Sequence, residues 1–153
     1  MIRRTKCKVW LCSILLALNL FFIWGNSLLP GKISLGISNL ALDILRFIMG
    51  SSGGSGGSGL LRKLAHGLEF ACLGVILSVY VRMFFKRTYL HLLLPLACGF
   101  AVACIDELIQ IFVPGRGPGV VDVLIDTCGA VFGIAVVLLV YFFKKRSIMH
   151  SEE

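Results

Sequence analysis

The chain has 153 residues, 58% of them hydrophobic, and carries 15 Lys and Arg against 8 Asp and Glu for a formal net charge of +7. Its mean hydropathy of +0.92 excludes an ordinary soluble domain, whose apolar share is about 45–50%. The positive charge does not mark a nucleic-acid binder either, because the basic residues cluster at the ends of apolar stretches, where they report membrane orientation.

Four stretches reach the roughly 17–25 residues that a spanning helix needs. The first, about Cys7–Trp24, follows Arg3, Arg4, Lys6 and Lys8. Its apolar run exceeds the core of about 7–15 residues of a secretion signal, and no small-x-small cleavage site follows, so a retained anchor is expected. Asn19, midway along it, is expected to hydrogen-bond a neighbouring helix. Gly25-Asn26-Ser27-Leu28-Leu29-Pro30-Gly31 is a turn-rich exit.

Beyond the exit, Ile37, Leu40, Ala41, Ile44, Leu45 and Ile48 recur at helical spacing, with Ser38, Asn39, Asp43 and Arg46 largely on the other side. This predicts a short amphipathic helix on the outer membrane face, or one folded back over the polar residues as a lid. Asp43 and Arg46 argue against a fifth span. Residues 50–59, GSSGGSGGSG, form a flexible linker by composition, in the pattern of an engineered loop or a natural low-complexity one. They carry no chemistry.

The second span, about Leu64–Phe85, has His66 and Glu69 on one face of its first turns, with Arg62 and Lys63 at its mouth. In the third, about Leu90–Phe112, Asp106 and Gln110 are four apart, and Gly99 and Ala103 extend their stripe; Glu107 is expected to point elsewhere, toward the interface or another helix. In the fourth, about Val120–Phe143, Asp122 and Asp126 are four apart, and Gly129 and Gly133 continue that stripe. Small residues at this interval let helices approach closely in lipid. The link Val113-Pro114-Gly115-Arg116-Gly117-Pro118-Gly119 is tight and places Arg116 near the carboxylates, either as an anion clamp or to neutralise Asp106 or Asp122.

In this all-α, four-span arrangement, 10 of the 15 Lys and Arg lie on one side, which puts both termini in the cytoplasm. The polar residues then share the outer half. A charge at membrane depth costs about 2.5–3.5 kcal/mol on insertion scales, so this many at one depth point to a functional cavity. Plainer roles compete: Asp122 as a helix N-cap, His66 as an interhelical hydrogen bonder. Cys7, Cys12, Cys72, Cys98, Cys104 and Cys128 form no CxxC and read as small buried hydrophobes.

Three strings taken together carry a resemblance: Leu61-Arg62-Lys63-Leu64-Ala65-His66, then Asp106 to Arg116 (DELIQIFVPGR), then Asp122-Val123-Leu124-Ile125-Asp126-Thr127-Cys128-Gly129 with Gly133. Their order and spacing, with Asn26-Ser27 and Pro30 after the first span, resemble the VanZ-like family of bacterial membrane proteins. Two positions depart from the pattern: Gly67 where an aromatic is frequent, and Asp126 where Asn is common. The resemblance implies a multi-pass plasma-membrane protein typical of Gram-positive bacteria, in a family associated with glycopeptide resistance and reduced teicoplanin susceptibility. It implies a setting and no reaction.

Three functions fit the residues. The first is an outward-facing cavity that binds an amphiphile such as a membrane lipid, a lipid-linked cell-wall precursor or a lipoglycopeptide. Arg116, Arg62 and Lys63 would attract its anionic groups, while Gln110, Asp126 and the other carboxylates take amines or hydroxyls. The second is an intramembrane hydrolase or transferase acting on a lipid head group, with His66, Glu69, Asp106 and Asp122 as catalytic candidates and His66 as general base. Asp106, Asp122, Asp126 and His66 are also the candidate ligands for a divalent cation, although their spacing is no zinc signature. The third is proton-coupled transport, which the absence of an inverted repeat disfavours in a single chain and a homo-oligomer would make easier.

Overall fold

The computed structural model describes residues 2–49, 58–117 and 119–150, and it is all-helical, with no strand among them. Five helices follow in order: α1 Ile2–Ser27, α2 Gly31–Met49, α3 Ser58–Phe84, α4 Leu90–Ile111 and α5 Val120–His150. Within them, Lys6–Ser27, Gly59–Phe84, Leu90–Ile111 and Val120–Ser147 are long and apolar enough to cross a membrane. These match the four expected spans. Most of the glycine-serine tract, residues 50–57, lies outside the described residues, but Ser58 and Gly59 are already helical. α3 therefore begins more than a turn before Leu64, which puts His66 in its third turn.

α3 is the axis of the bundle, packing against α1, α2, α4 and α5. Its closest partner is α5, and glycine explains why. A Cβ on Gly129 would overlap the Gly67 carbonyl, one on Gly133 the Ala71 carbonyl, and one on Gly74 the Ala130 carbonyl. Backbone meets backbone along this seam, the close approach that small residues permit in lipid. On α4, Pro95, Gly99, Ala103, Asp106, Glu107 and Gln110 form the buried stripe. Ile23, Phe70, Leu73, Leu77, Ala103 and Ala130 make the apolar core, with Leu16, Leu20 and Trp24 packed on it.

The outside of the bundle is apolar. Trp10, Leu18, Phe21, Leu68, Phe100, Phe132 and Leu139 are exposed on the spanning helices, as lipid-facing residues should be, since a membrane gives no reason to hide them. The cysteines share this position: Cys7, Cys72, Cys98 and Cys128 are exposed free thiols rather than buried hydrophobes.

α2 is amphipathic as expected, but its polar side faces the protein. Ser34 and Ser38 are buried, Ser38 donating to the Ser34 carbonyl at 3.0 Å, while Ile33, Ile37, Leu40 and Ile44 are exposed. It packs along α3.

At one end of the bundle the turn between α3 and α4 is basic. Arg82 donates to His91 Nδ1 at 2.8 Å, so His91 carries its proton on Nε2 and donates it to the Phe85 carbonyl, also at 2.8 Å. The Arg82 guanidinium lies 4.5 Å from the Tyr141 ring centre. The polar residues singled out above gather at the other end.

Candidate functional site

The site is assembled where α1 and α4 end and α3 and α5 begin. Asp106, on the last turns of α4, is fully buried. Its Oδ2 accepts from the Ser27 hydroxyl at 2.7 Å and from Gln110 Nε2 at 3.0 Å. Gln110 Nε2 also lies 3.3 Å from Ser27 Oγ and 3.3 Å from Glu107 Oε1, which links these four side chains. Asp106 Oδ1 is buried with no partner.

On α3, His66 and Glu69 face one another, Nδ1 to Oε2, at 3.7 Å, too long for a hydrogen bond. Both of these atoms are buried without a partner. The other Glu69 oxygen accepts from Asn26 Nδ2 at 2.9 Å. Asn19 donates to the Glu69 carbonyl at 3.4 Å, which is the interhelical role expected of it. His66, Asp106 and Asp126, from three helices, each offer a ligand atom within 4.8 Å of the others.

The link between α4 and α5 docks on the end of α1. The Gly31 N–H donates to the Pro114 carbonyl at 3.1 Å, and a Cβ on Gly31 would overlap the Gly115 carbonyl. Gly115 has φ +75°, a left-handed conformation that glycine adopts without strain. Arg116 then donates from Nε to the Leu29 carbonyl at 3.1 Å and from a terminal nitrogen to the Asn26 carbonyl at 2.6 Å. Two of its five donors are thus committed to backbone. It caps the carbonyls at the end of α1, where a cation also meets the negative end of the helix dipole. Burial, and then the neighbouring Arg62, pull its pKa below the usual guanidinium range.

Glu107 reaches another helix. It is buried, and its Oε2 accepts from the Gly119 N–H at 2.8 Å, at the threshold of α5. Asp122 is not the N-cap: α5 opens at Val120, and Asp122, in its first turn, pairs with Lys63 at 3.0 Å. The metal candidates divide accordingly, with His66, Asp106 and Asp126 converging and Asp122 held by Lys63.

Two hollows meet at this end. A small polar pocket enclosing about 10 Å³ is lined by Arg62, Lys63, His66, Glu107, Gln110, Arg116, Asp122, Ile125 and Asp126. Among the described residues, none of α2 lines it. An open, apolar groove of about 400 Å³ runs between α4 and α5, lined by Cys104, Glu107, Leu108, Ile111, Gly119, Val120 and Val123. Glu107 belongs to both.

All nine residues singled out from the sequence are at this end, and all but Glu69 and Asp106 line the pocket. Those two lie behind it, held by Asn26 and Ser27. Neither Asn26 nor Ser27 was a site candidate. The signal was a polar pair closing an apolar run, which composition alone reads as a turn.

The VanZ/LLP1 family model matches residues 8–143. No curated protein and no solved structure matches the chain.

Proposed function

Because the chain belongs to the VanZ/LLP1 family, as a multi-pass membrane protein with four candidate spans, we propose that it binds an amphiphile of the bacterial envelope. The head group would sit over the mouth of the polar pocket and the hydrocarbon in the α4–α5 groove. The observation that carries this reading is Glu107, which lines both hollows. The pocket encloses only about 10 Å³, room for about one water or an ion, far below the roughly 300–1,000 Å³ of small-molecule sites. A head group would therefore rest across its mouth and reach the lining side chains with single polar groups. The groove supplies an apolar path open to the membrane.

The pocket mixes cations and carboxylates: Arg62 and Lys63 beside Glu107, Asp122 and Asp126. That set favours a head group with both an anionic group and amines or hydroxyls, as in a lipid-linked cell-wall precursor. We place the site on the outer face, with both termini cytoplasmic, because the opposite end carries the basic turn and the run Lys144, Lys145, Arg146. A role in teicoplanin susceptibility would follow from holding such a precursor, or the lipoglycopeptide itself, at that face.

Native mass spectrometry of the detergent-purified protein tests the reading against two variants. Leu108→Trp fills the groove without touching the pocket, and Asp126→Asn alters the pocket without touching the groove. A co-purifying phospholipid or isoprenoid phosphate that is retained by the parent and lost from both variants is the expected result. Retention by both, or an equally bare spectrum for the parent after incubation with envelope lipid extract, would overturn it.

A further inference from the structure

We propose that His66, Asp106 and Asp126 form a divalent-cation site at the floor of the polar pocket, of the class that Mn²⁺ or Zn²⁺ occupies. The inference goes beyond the amphiphile reading and does not depend on it, since the ligands are complete in the chain itself.

One imidazole nitrogen and two carboxylates are a donor set in which imidazole suits Zn and the carboxylates suit Mn. The three ligand atoms lie within 4.8 Å of one another and come from α3, α4 and α5. Proximity of acids alone would not make a site. The further observation is Asp106 Oδ1, on a residue with no exposed surface, which has no hydrogen-bond partner. A buried polar atom left unpaired is costly, and a cation would satisfy it.

The surroundings also have the form of an outer shell. Metal-binding carboxylates are themselves hydrogen-bonded, and a metal-binding histidine usually presents its second nitrogen to a carboxylate. Asp106 Oδ2 is taken by Ser27 and Gln110, which leaves Oδ1 to coordinate. His66 Nδ1 faces Glu69 Oε2 at 3.7 Å, with Glu69 anchored by Asn26. With Nε2 on the ion, Nδ1–H would close on Glu69. The cations at the pocket are committed elsewhere in part: Lys63 pairs with Asp122, and Arg116 holds backbone carbonyls.

Mn²⁺ is the probe of choice, because the six free cysteines would confuse a zinc titration and thiolates bind Mn²⁺ poorly. Detergent-purified, chelator-treated protein is titrated with MnCl₂ and followed by electron paramagnetic resonance, with electron spin echo modulation to detect a coordinated nitrogen. The expected result is a single saturable equivalent with nitrogen coupling. His66→Gln should remove the coupling, and Asp126→Asn should remove the equivalent. Glu69→Gln should weaken binding roughly 10–100-fold, the usual cost of an outer-shell change. No saturable binding by the parent, which needs no variant to fold, would overturn the proposal. So would nitrogen coupling that survives in a monodisperse His66→Gln protein. Either failure would leave amphiphile retention, read separately by mass, to stand or fall alone.

Discussion

Ser27 closes α1 by donating a 2.7 Å hydrogen bond to Oδ2 of Asp106, 79 residues away on α4. The contact turns the end of the first span into part of the polar site, and it orients a carboxylate that has no access to water. It also decides which Asp106 oxygen remains open.

Ser27→Ala should therefore destabilise the protein well beyond its size. A hydrogen bond contributes about 0.5–1.5 kcal/mol, and a buried partner left short of donors bears a desolvation cost of about 1–3 kcal/mol. Thermal unfolding in detergent should show a clear drop. Ser13→Ala, which removes only a 3.3 Å contact to the Tyr80 hydroxyl, should cost far less.

The α3–α5 seam gives a second contrast. Gly133→Ala would drive a methyl group into the Ala71 carbonyl, and Gly129→Ala one into that of Gly67. Backbone cannot yield as a side chain can, so each should cost about 1–3 kcal/mol or more. Gly25→Ala meets nothing within 4 Å, and helix propensity favours alanine there. Parallel melts of the three variants check the order, and a neutral Gly133→Ala would mean the helices lie farther apart than described.

The spans and the shared depth of the polar residues were legible in the sequence because hydropathy and helical spacing are local properties. His66, Glu69, Asp106, Gln110, Asp122 and Asp126 each announce themselves as charge or amide inside an apolar run. What the sequence left open were partnerships between helices. Nothing local says that Lys63 claims Asp122, that Arg116 reaches back to Asn26 and Leu29, or that Ser27 meets Asp106 across 79 positions. Nor does anything local say which helix Glu107 reaches. Adjacency to Asp106 separates two side chains by about 100° on a helix, yet the start of α5 lies close enough to draw Glu107 into the site.

Arg116 offers a test of fold rather than chemistry. Its two hydrogen bonds to the Asn26 and Leu29 carbonyls hold the α4–α5 link against the start of α2, where the Gly31 N–H meets Pro114. Lysine keeps the charge but not the fixed fork of donors. In Arg116→Lys the Gly31 amide should lose protection from hydrogen exchange, while amides in the middle of α3 keep theirs. Equal protection in both proteins would assign the docking to the Gly31–Gly115 contact instead.

Glu107 does for α5 what a residue of α5 itself normally does. In a capping box, a carboxylate three positions into the helix reaches back to the N–H of the cap residue. Asp122 stands at that position relative to Gly119, but Lys63 engages it, and the Gly119 N–H goes to Glu107 on α4 instead. A contact within one helix has become a tie between two. Glu107→Gln keeps an acceptor for that N–H and should melt close to the parent. Glu107→Ala removes it and should cost about 1 kcal/mol, the typical worth of a cap, while joining the pocket to the groove. Under the amphiphile reading, the two variants should then differ in lipid retention by more than they differ in stability. Native mass spectra recorded at matched fractions of folded protein separate the two effects. Lipid loss that merely tracks stability would leave Glu107 as a helix tie and nothing more.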